Sequence, residues 1–263
     1  MLTIAQIKDI CQAKDCHLAD GHAEIELLAF DSRNVLIPQK TLFFAITTAK
    51  NDGHHYIAEL WQQGVKNFVI TCPVSEFSHF SDANFLQVNN AVTALQQIAA
   101  YHRQQFSYPV VGITGSNGKT IVKEWLSQML APEFHVVRNP NSYNSQIGVP
   151  LSVWQMAPRH NLAIFEAGIS QPGEMERLAA VIQPTIGILT NIGAAHNEFF
   201  HNNEEKLIEK TKLFKDCQKV IYFSDNPLIH NYFKQNERFK GKTISWGHTE
   251  DADYHIDFVN TTD

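Results

Sequence analysis

One stretch, Gly112-Ile113-Thr114-Gly115-Ser116-Asn117-Gly118-Lys119-Thr120, constrains this chain more than any other. The run before it, Tyr108 to Ile113, is apolar and β-branched and predicts a buried strand. After it, Ile121, Val122, Trp125, Leu126, Met129 and Leu130 recur at helical spacing, which predicts a helix from Lys119 to Leu130. A glycine-bearing turn between strand and helix aims backbone N–H groups at an anion, and the helix N-terminus adds partial positive charge. Lys119 has the reach for outer phosphates, and Thr120 has a hydroxyl suited to Mg²⁺. Thr114, Gly115, Ser116, Asn117, Gly118, Lys119 and Thr120 are therefore candidate residues for a nucleoside triphosphate. The general phosphate loop has a further glycine where Ile113 stands, so the motif here is the shorter Thr-Gly-x-x-Gly-Lys-Thr.

Downstream the pattern is regular. Strand-like runs at Val110 to Thr114, Phe134 to Arg138, Leu162 to Glu166, Thr185 to Thr190, Lys219 to Phe223 and Thr243 to Trp246 alternate with helical stretches, which predicts a mostly parallel sheet flanked by helices. In such sheets ligands sit beyond the carboxyl ends of the strands. Two strand ends matter for that reason. One reads Glu166-Ala167-Gly168, the other Asn191-Ile192-Gly193-Ala194-Ala195-His196. A carboxylate and an imidazole beside a phosphate loop are candidate ligands for the divalent metal that accompanies a nucleotide. Taken singly, each reads better as a strand-end polar group or a satisfied loop histidine; their coincidence with the phosphate loop reverses that preference.

Upstream of the loop the chain alternates strands and helices with no phosphate loop of its own. Ile25 to Phe30, Thr41 to Ile46 and Lys66 to Thr71 read as strands; Met1 to Ile10 (a capped amphipathic segment), His54 to Gln63 and Ala91 to Phe106 read as helices. The break at Ser107-Tyr108-Pro109 gives a small α/β domain at 1–107 and a phosphate-loop domain at 108–263.

Composition limits the partners. A chain of 263 residues with net charge −6 has no electrostatic call for nucleic acid or an anionic membrane surface. No apolar run is long enough to span a bilayer, and the N-terminus has no secretory pattern. Four cysteines without C-x-x-C pairing suit a reducing, cytoplasmic compartment.

Thr114 to Thr120, Glu166-Ala167-Gly168 and Thr190-Asn191-Ile192-Gly193 through His196 together resemble the Mur ligases, the ATP-dependent amide-forming enzymes of peptidoglycan synthesis. Asn141-Ser142-Tyr143-Asn144-Ser145-Gln146-Ile147-Gly148-Val149-Pro150-Leu151 resembles the MurF type in particular. Asp31-Ser32-Arg33, Thr41 to Ala45 and Asp52-Gly53-His54 resemble the uridine-nucleotide domain that precedes the phosphate-loop domain in that family. The resemblance implies ATP and two Mg²⁺ ions as cofactors, with UDP-N-acetylmuramoyl-tripeptide and D-alanyl-D-alanine as substrates. It adds Asn191 to the nucleotide contacts and Ser32, Arg33, Asn141 and Asn144 to the substrate contacts. Thr120 and Glu166 would bind one metal, and His196 with a carbamylated lysine the other. The E-K-x-x-L-F pattern puts that lysine at Lys210, with Lys206 and Lys212 as competitors, so Lys119, His196 and Lys210 are the expected catalytic residues.

Residue by residue, plainer roles stand beside these: Ser32 and Arg33 can brace a strand end, and Asn141 and Asn144 can form turns. Mur ligases carry a third, C-terminal domain for which there is no room before Asp263, which implies a fragment inactive by itself. The segments also resemble a form in which an alanine racemase follows the ligase, though no part of a racemase lies in these residues. Two rivals remain. Folylpolyglutamate synthase shares the acyl-phosphate chemistry but normally has glycine where Thr120 stands; the other is a nucleotide-binding module without catalysis.

Overall fold

The computed structural model describes residues 1–193 and 199–257. Two compact units divide the chain, Met1–His102 and Arg103–Asp263.

In the first unit, β1 (Leu2–Thr3) leads into α1 (Ile4–Ile10), where Thr3 and Gln6 cap each other reciprocally. The helix expected from Met1 thus begins only after a short strand. β2 (Asp15–His17) is followed by β3 (Glu24–Ile25), which pairs antiparallel with β1, and by β4 (Leu27–Ala29). Then come β5 (Thr41–Phe44), α2 (Ile57–Gln62), β6 (Asn67–Ile70), β7 (Asn84–Gln87) and α3 (Ala91–Arg103). The sheet runs β2-β7-β6-β5-β4, parallel throughout except for β2 against β7. Its core holds Phe43, Phe68 and Phe85 with Ile57 and Leu60 from α2. The Phe68 and Phe85 rings stack at 5.2 Å. The helix expected over His54 to Gln63 splits, because Asp52 caps a 3₁₀ turn at Gly53–Tyr56 before α2 begins.

The second unit contains β8 (Val110–Thr114), α4 (Lys119–Leu130), β9 (Val136–Arg138), α5 (Gly148–Val153), β10 (Leu162–Glu166) and α6 (Glu174–Ile182). It continues with β11 (Ile186–Leu189), α7 (Asn203–Thr211), β12 (Lys219–Phe223), α8 (Pro227–Gln235), β13 (Thr243–Gly247) and β14 (Tyr254–His255). All seven strands are parallel, in the order β14-β13-β12-β11-β8-β10-β9. The chain leaves β8 for β9 on one side and, after β10, crosses to β11 on the other. The carboxyl end of β8 therefore lies where the connections diverge, the usual place for a ligand in an open parallel sheet. Val111, Ile113, Leu162 and Ile164 form the core beneath, covered by Val122 and Leu126 of α4. This is the parallel, helix-flanked sheet expected from the alternating pattern.

Candidate functional site

β8 ends at Thr114, whose buried hydroxyl donates to the carbonyl of Ala167 at 2.9 Å and ties the loop to the end of β10. Gly115 has φ +147° and Gly118 φ +80°, backbone angles that side chains oppose. At position 115 a Cβ would also collide with the Thr190 hydroxyl. The segment after β11 braces the turn. Ser116 N donates to the Asn191 carbonyl at 2.8 Å, Asn117 N to Asn191 Oδ1 at 2.8 Å, and Thr190 Oγ1 to the Asn117 carbonyl at 2.6 Å. Gly193 N donates to Ser116 Oγ at 2.9 Å. With the turn held, the N–H groups of Gly118, Lys119 and Thr120 find no acceptor among the described residues and stand open at the start of α4.

Lys119 folds back over this cradle, its ammonium donating to the carbonyls of Gly115 and Ser116 at 2.9 and 3.3 Å. Burial pushes its pKa down, and the Glu166 charge partly opposes that. Thr120 Oγ1 lies 3.3 Å from Ser142 Oγ.

Glu166 is fully buried at the end of β10. Asn144 Nδ2 donates to its Oε1 at 2.9 Å, whereas Oε2 is buried without a hydrogen bond. A buried carboxylate oxygen left in that state is costly unless a ligand completes it. Of the two asparagines expected to touch substrate, Asn144 is thus bound to Glu166. Asn141 takes the turn-forming role, with φ +47° and an exposed side chain.

The two lysines of α7, Lys206 and Lys210, and Lys212 just beyond its end divide their work. Lys206 is fully buried and donates to the Gly193 carbonyl at 2.7 Å. Lys212 pairs with Glu209 Oε2 at 2.7 Å, which raises its pKa. Glu209 in turn accepts from the N–H groups of Gly173 and Met175. Lys210 has no hydrogen bond or ion pair among the described residues and faces a cavity of about 320 Å³ lined also by Lys119, Asn144, Gly168, Ser170 and Glu174. Burial first, then repulsion from Lys119 and Lys206, brings its pKa down to about 7. His196 lies outside the described residues. No cluster of three or more His, Cys, Asp or Glu side chains forms a metal centre among the described residues.

Lys123 escaped the reading of the sequence. It sits one helical turn beyond Lys119, fully buried, donating to the Asn139 carbonyl at 2.9 Å and to the Asn141 carbonyl. A lysine among inward-facing positions of α4 was the available signal.

In the first unit, Ser32 and Arg33 lie on a 3₁₀ turn, Ser32–Asn34, capped by Asp31. The exposed guanidinium of Arg33 embraces the Asp31 carboxylate, with Nε at 2.9 Å from Oδ1 and Nη2 at 2.6 Å from Oδ2, which holds the Asp31 pKa down to about 2. Asp52 Oδ1 accepts from the Thr47 hydroxyl and from the His54 N–H, each at 3.0 Å, and meets His54 Nδ1 at 2.6 Å. The Thr71 N–H donates to His54 Nε2 at 3.1 Å, so that nitrogen carries no proton and Nδ1 does. All four cysteines are free.

Residues 113–263 match the Mur ligase middle domain. The chain is 28% identical to the UDP-N-acetylmuramoyl-tripeptide--D-alanyl-D-alanine ligase of Bacillus subtilis strain 168, over 98% of this chain and 55% of that protein. The crystal structure of MurF from Acinetobacter baumannii shares the fold at a TM-score of 0.83 and 23% identity, covering 94% of this chain and 53% of the other. MurF ligase from Thermotoga maritima in complex with ADP aligns with a TM-score of 0.72 at 27% identity, over 85% of this chain and 50% of the other. The chain spans about half the length of these relatives. The chain belongs to the Mur ligase family and stands with its MurF type.

Proposed function

We propose that this chain supplies the nucleotide-activating site of a cytoplasmic, ATP-dependent ligase that joins D-alanyl-D-alanine to UDP-N-acetylmuramoyl-tripeptide. The observation that carries the reading is a phosphate cradle whose N–H groups stand open, in the same unit as a buried Glu166 with one carboxylate oxygen unpartnered. The ADP bound to the Thermotoga maritima relative supports ATP as the nucleotide.

In this reading the open amides of Gly118, Lys119 and Thr120 receive phosphate oxygens, and Lys119 gives up its loop carbonyls for the outer phosphates. A carboxylate oxygen of the tripeptide attacks the γ-phosphorus, the bond to the β–γ bridging oxygen breaks, and ADP leaves. The amine of D-alanyl-D-alanine then adds to the acyl carbon. Collapse breaks the bond to phosphate, which departs with the electron pair while the amine loses its proton. The cradle and Lys119 stabilise the negative charge as it shifts, without reorganising. Ser32 and Arg33 hold the uridine-nucleotide end of the precursor, and Asn141 lies with the substrate-binding turn.

The unpartnered Glu166 Oε2 fits one Mg²⁺ ion, and the family resemblance implies a second. Glu166 Oε2 and Thr120 would hold one, and His196 with a carbamylated Lys210 the other; bound there, the metals would neutralise phosphate charge. Lys210 suits carbamylation because an amine with a pKa near 7 keeps a large neutral fraction able to add to CO₂, releasing a proton. The carbamate then faces Lys119 and Lys206, the cations that repel the unmodified ammonium.

Calorimetric titration of the chain with ATP–Mg²⁺ and with UDP-N-acetylmuramoyl-tripeptide separately tests the reading. Heat of binding for both is expected, with Lys119→Ala losing only the first. Binding of neither overturns it.

A further inference from the structure

We infer that Lys123 is a positioning residue for the metal site. Its ammonium sits beside the Glu166 carboxylate without capping Oε2, and it folds the 139–144 turn that presents Asn144 to Oε1. The inference rests on the reading of Glu166 as a metal ligand.

Lys123 Nζ lies 3.8 Å from Glu166 Oε2, with both side chains wholly buried. That separation is too long for a hydrogen bond and short enough for strong attraction in a buried setting. The protons of Lys123 go elsewhere, to the carbonyls of Asn139 and Asn141. Glu124 Oε1, at 3.4 Å, offers a second negative charge. The result is a carboxylate whose charge is compensated and whose second oxygen remains open.

The same ammonium shapes the turn. Asn139 links the turn to β10: its Oδ1 accepts from the Glu166 N–H at 2.7 Å, and its Nδ2 donates to the Tyr143 carbonyl of the turn at 2.7 Å and to the Glu166 carbonyl at 3.4 Å. By gathering the carbonyls of Asn139 and Asn141, Lys123 closes the turn around the left-handed Asn141. Beyond that residue Ser142 meets Thr120, and Asn144 meets Glu166. One buried cation thus orders a partner for each of the two side chains assigned to the first metal. A neutral donor could hold the two carbonyls; only a cation also answers the Glu166 charge.

Lys123→Gln separates these tasks, since it keeps an N–H donor and removes the charge. Mn²⁺ binding followed by electron paramagnetic resonance, with ATP present, is expected to weaken at least about tenfold, the usual scale for losing a group that supports a metal ligand. ATP affinity measured in EDTA with a fluorescent analogue is expected to stay close to that of the parent chain. Thermal unfolding of Lys123→Gln, Glu166→Gln and the double variant supplies the coupling. The double variant is expected to be more stable than the sum of the single losses allows, because removing both charges leaves neither uncompensated.

If Lys123→Gln fails to fold and the double variant folds, the inference stands. Strict additivity of the two losses overturns it, as does failure of both variants to fold, because Lys123 would then serve only the turn. Unchanged Mn²⁺ affinity in Lys123→Gln overturns it as well. If Mn²⁺ binding by the parent chain is indifferent to Glu166→Gln, the metal reading itself has failed. The stability cycle still decides whether Lys123 acts through Glu166.

Discussion

The two units handle charge in opposite ways. In the first, Arg33, expected to meet substrate, already grips Asp31, and Asp52 Oδ1 accepts from Thr47 and His54. In the second, the helix N-terminal amides stand open, Glu166 Oε2 has no hydrogen bond, and Lys210 faces a cavity with two other ammoniums near enough to depress its pKa. Buried polar groups are normally satisfied, so unsatisfied ones concentrated at one sheet end mark where binding energy is held for a ligand. A ligand of the first unit, as proposed, would have to displace the Asp31 carboxylate from Arg33.

The largest effect is expected at Lys210. In a ligase of the relatives' full length, Lys210→Ala is expected to cut turnover at least about a hundredfold, the scale for losing one charge-stabilising group at a reacting centre. A short-chain carboxylic acid should restore part of the rate. Steady-state ADP release measures both effects, and an unchanged rate would show that the unpaired lysine awaits no modification.

Gly115→Ala comes next. A side chain there meets the Thr190 hydroxyl and must hold φ near +147°. The expected cost is about 2 kcal/mol or more of folding stability in chemical denaturation, together with loss of ATP binding. Alanine tolerated at full stability would mean that the cradle is looser than its hydrogen bonds indicate.

How much of this was legible beforehand follows from how local each feature is. The strand, loop and helix from Val110 to Leu130 lie within one short segment, and every determinant of the cradle except its brace is written there. Glu166 was visible as the polar end of an apolar strand. Its open oxygen was not, because that state depends on Asn144 and Lys123 arriving from other segments. Lys123 was not singled out, because its partners come from the distant turn from Asn139 to Asn144. Between Lys206 and Lys212, spacing left three lysines in contention, and only their partners tell them apart: Gly193 for Lys206 and Glu209 for Lys212. β7 and β2 were missed because polar residues at their ends, Asn84 and Gln87, Asp15 and His17, hide the alternation. Asn84 is buried there by donating to Asn67 Oδ1 at 2.7 Å, a pairing between neighbouring strands that sequence pattern does not register.

A smaller effect belongs to Asp52. The His54 backbone N–H, then its ring, hold the Asp52 carboxyl down from 3.8 to about 2. A depressed carboxylate stabilises the fold fully above its unfolded pKa and loses that contribution as pH falls through the folded value. Stability should therefore decline between about pH 4 and pH 2, and Asp52→Asn should flatten that part of the profile. Because Asp52 is partly exposed, solvent screening keeps the change small. Thermal melts across this range measure it, and an identical profile in the variant would show that His54 holds the segment without help from the charge.

The least effect on stability is expected at Arg33, and it separates the two units most cleanly. Its side chain is 84% exposed, so the ion pair with Asp31 is screened and its loss should leave the melting temperature unchanged. Arg33→Ala should nevertheless weaken binding of the uridine-nucleotide precursor, because a planar guanidinium that now grips a carboxylate can exchange that partner for a phosphate with the same two-pronged geometry. Arg33→Lys should recover the charge without the geometry, and thus only part of the affinity. A lowered melting temperature with precursor affinity intact would mean that the first unit spends this pair on its own turn, leaving exchange at the surface without its best-placed residue.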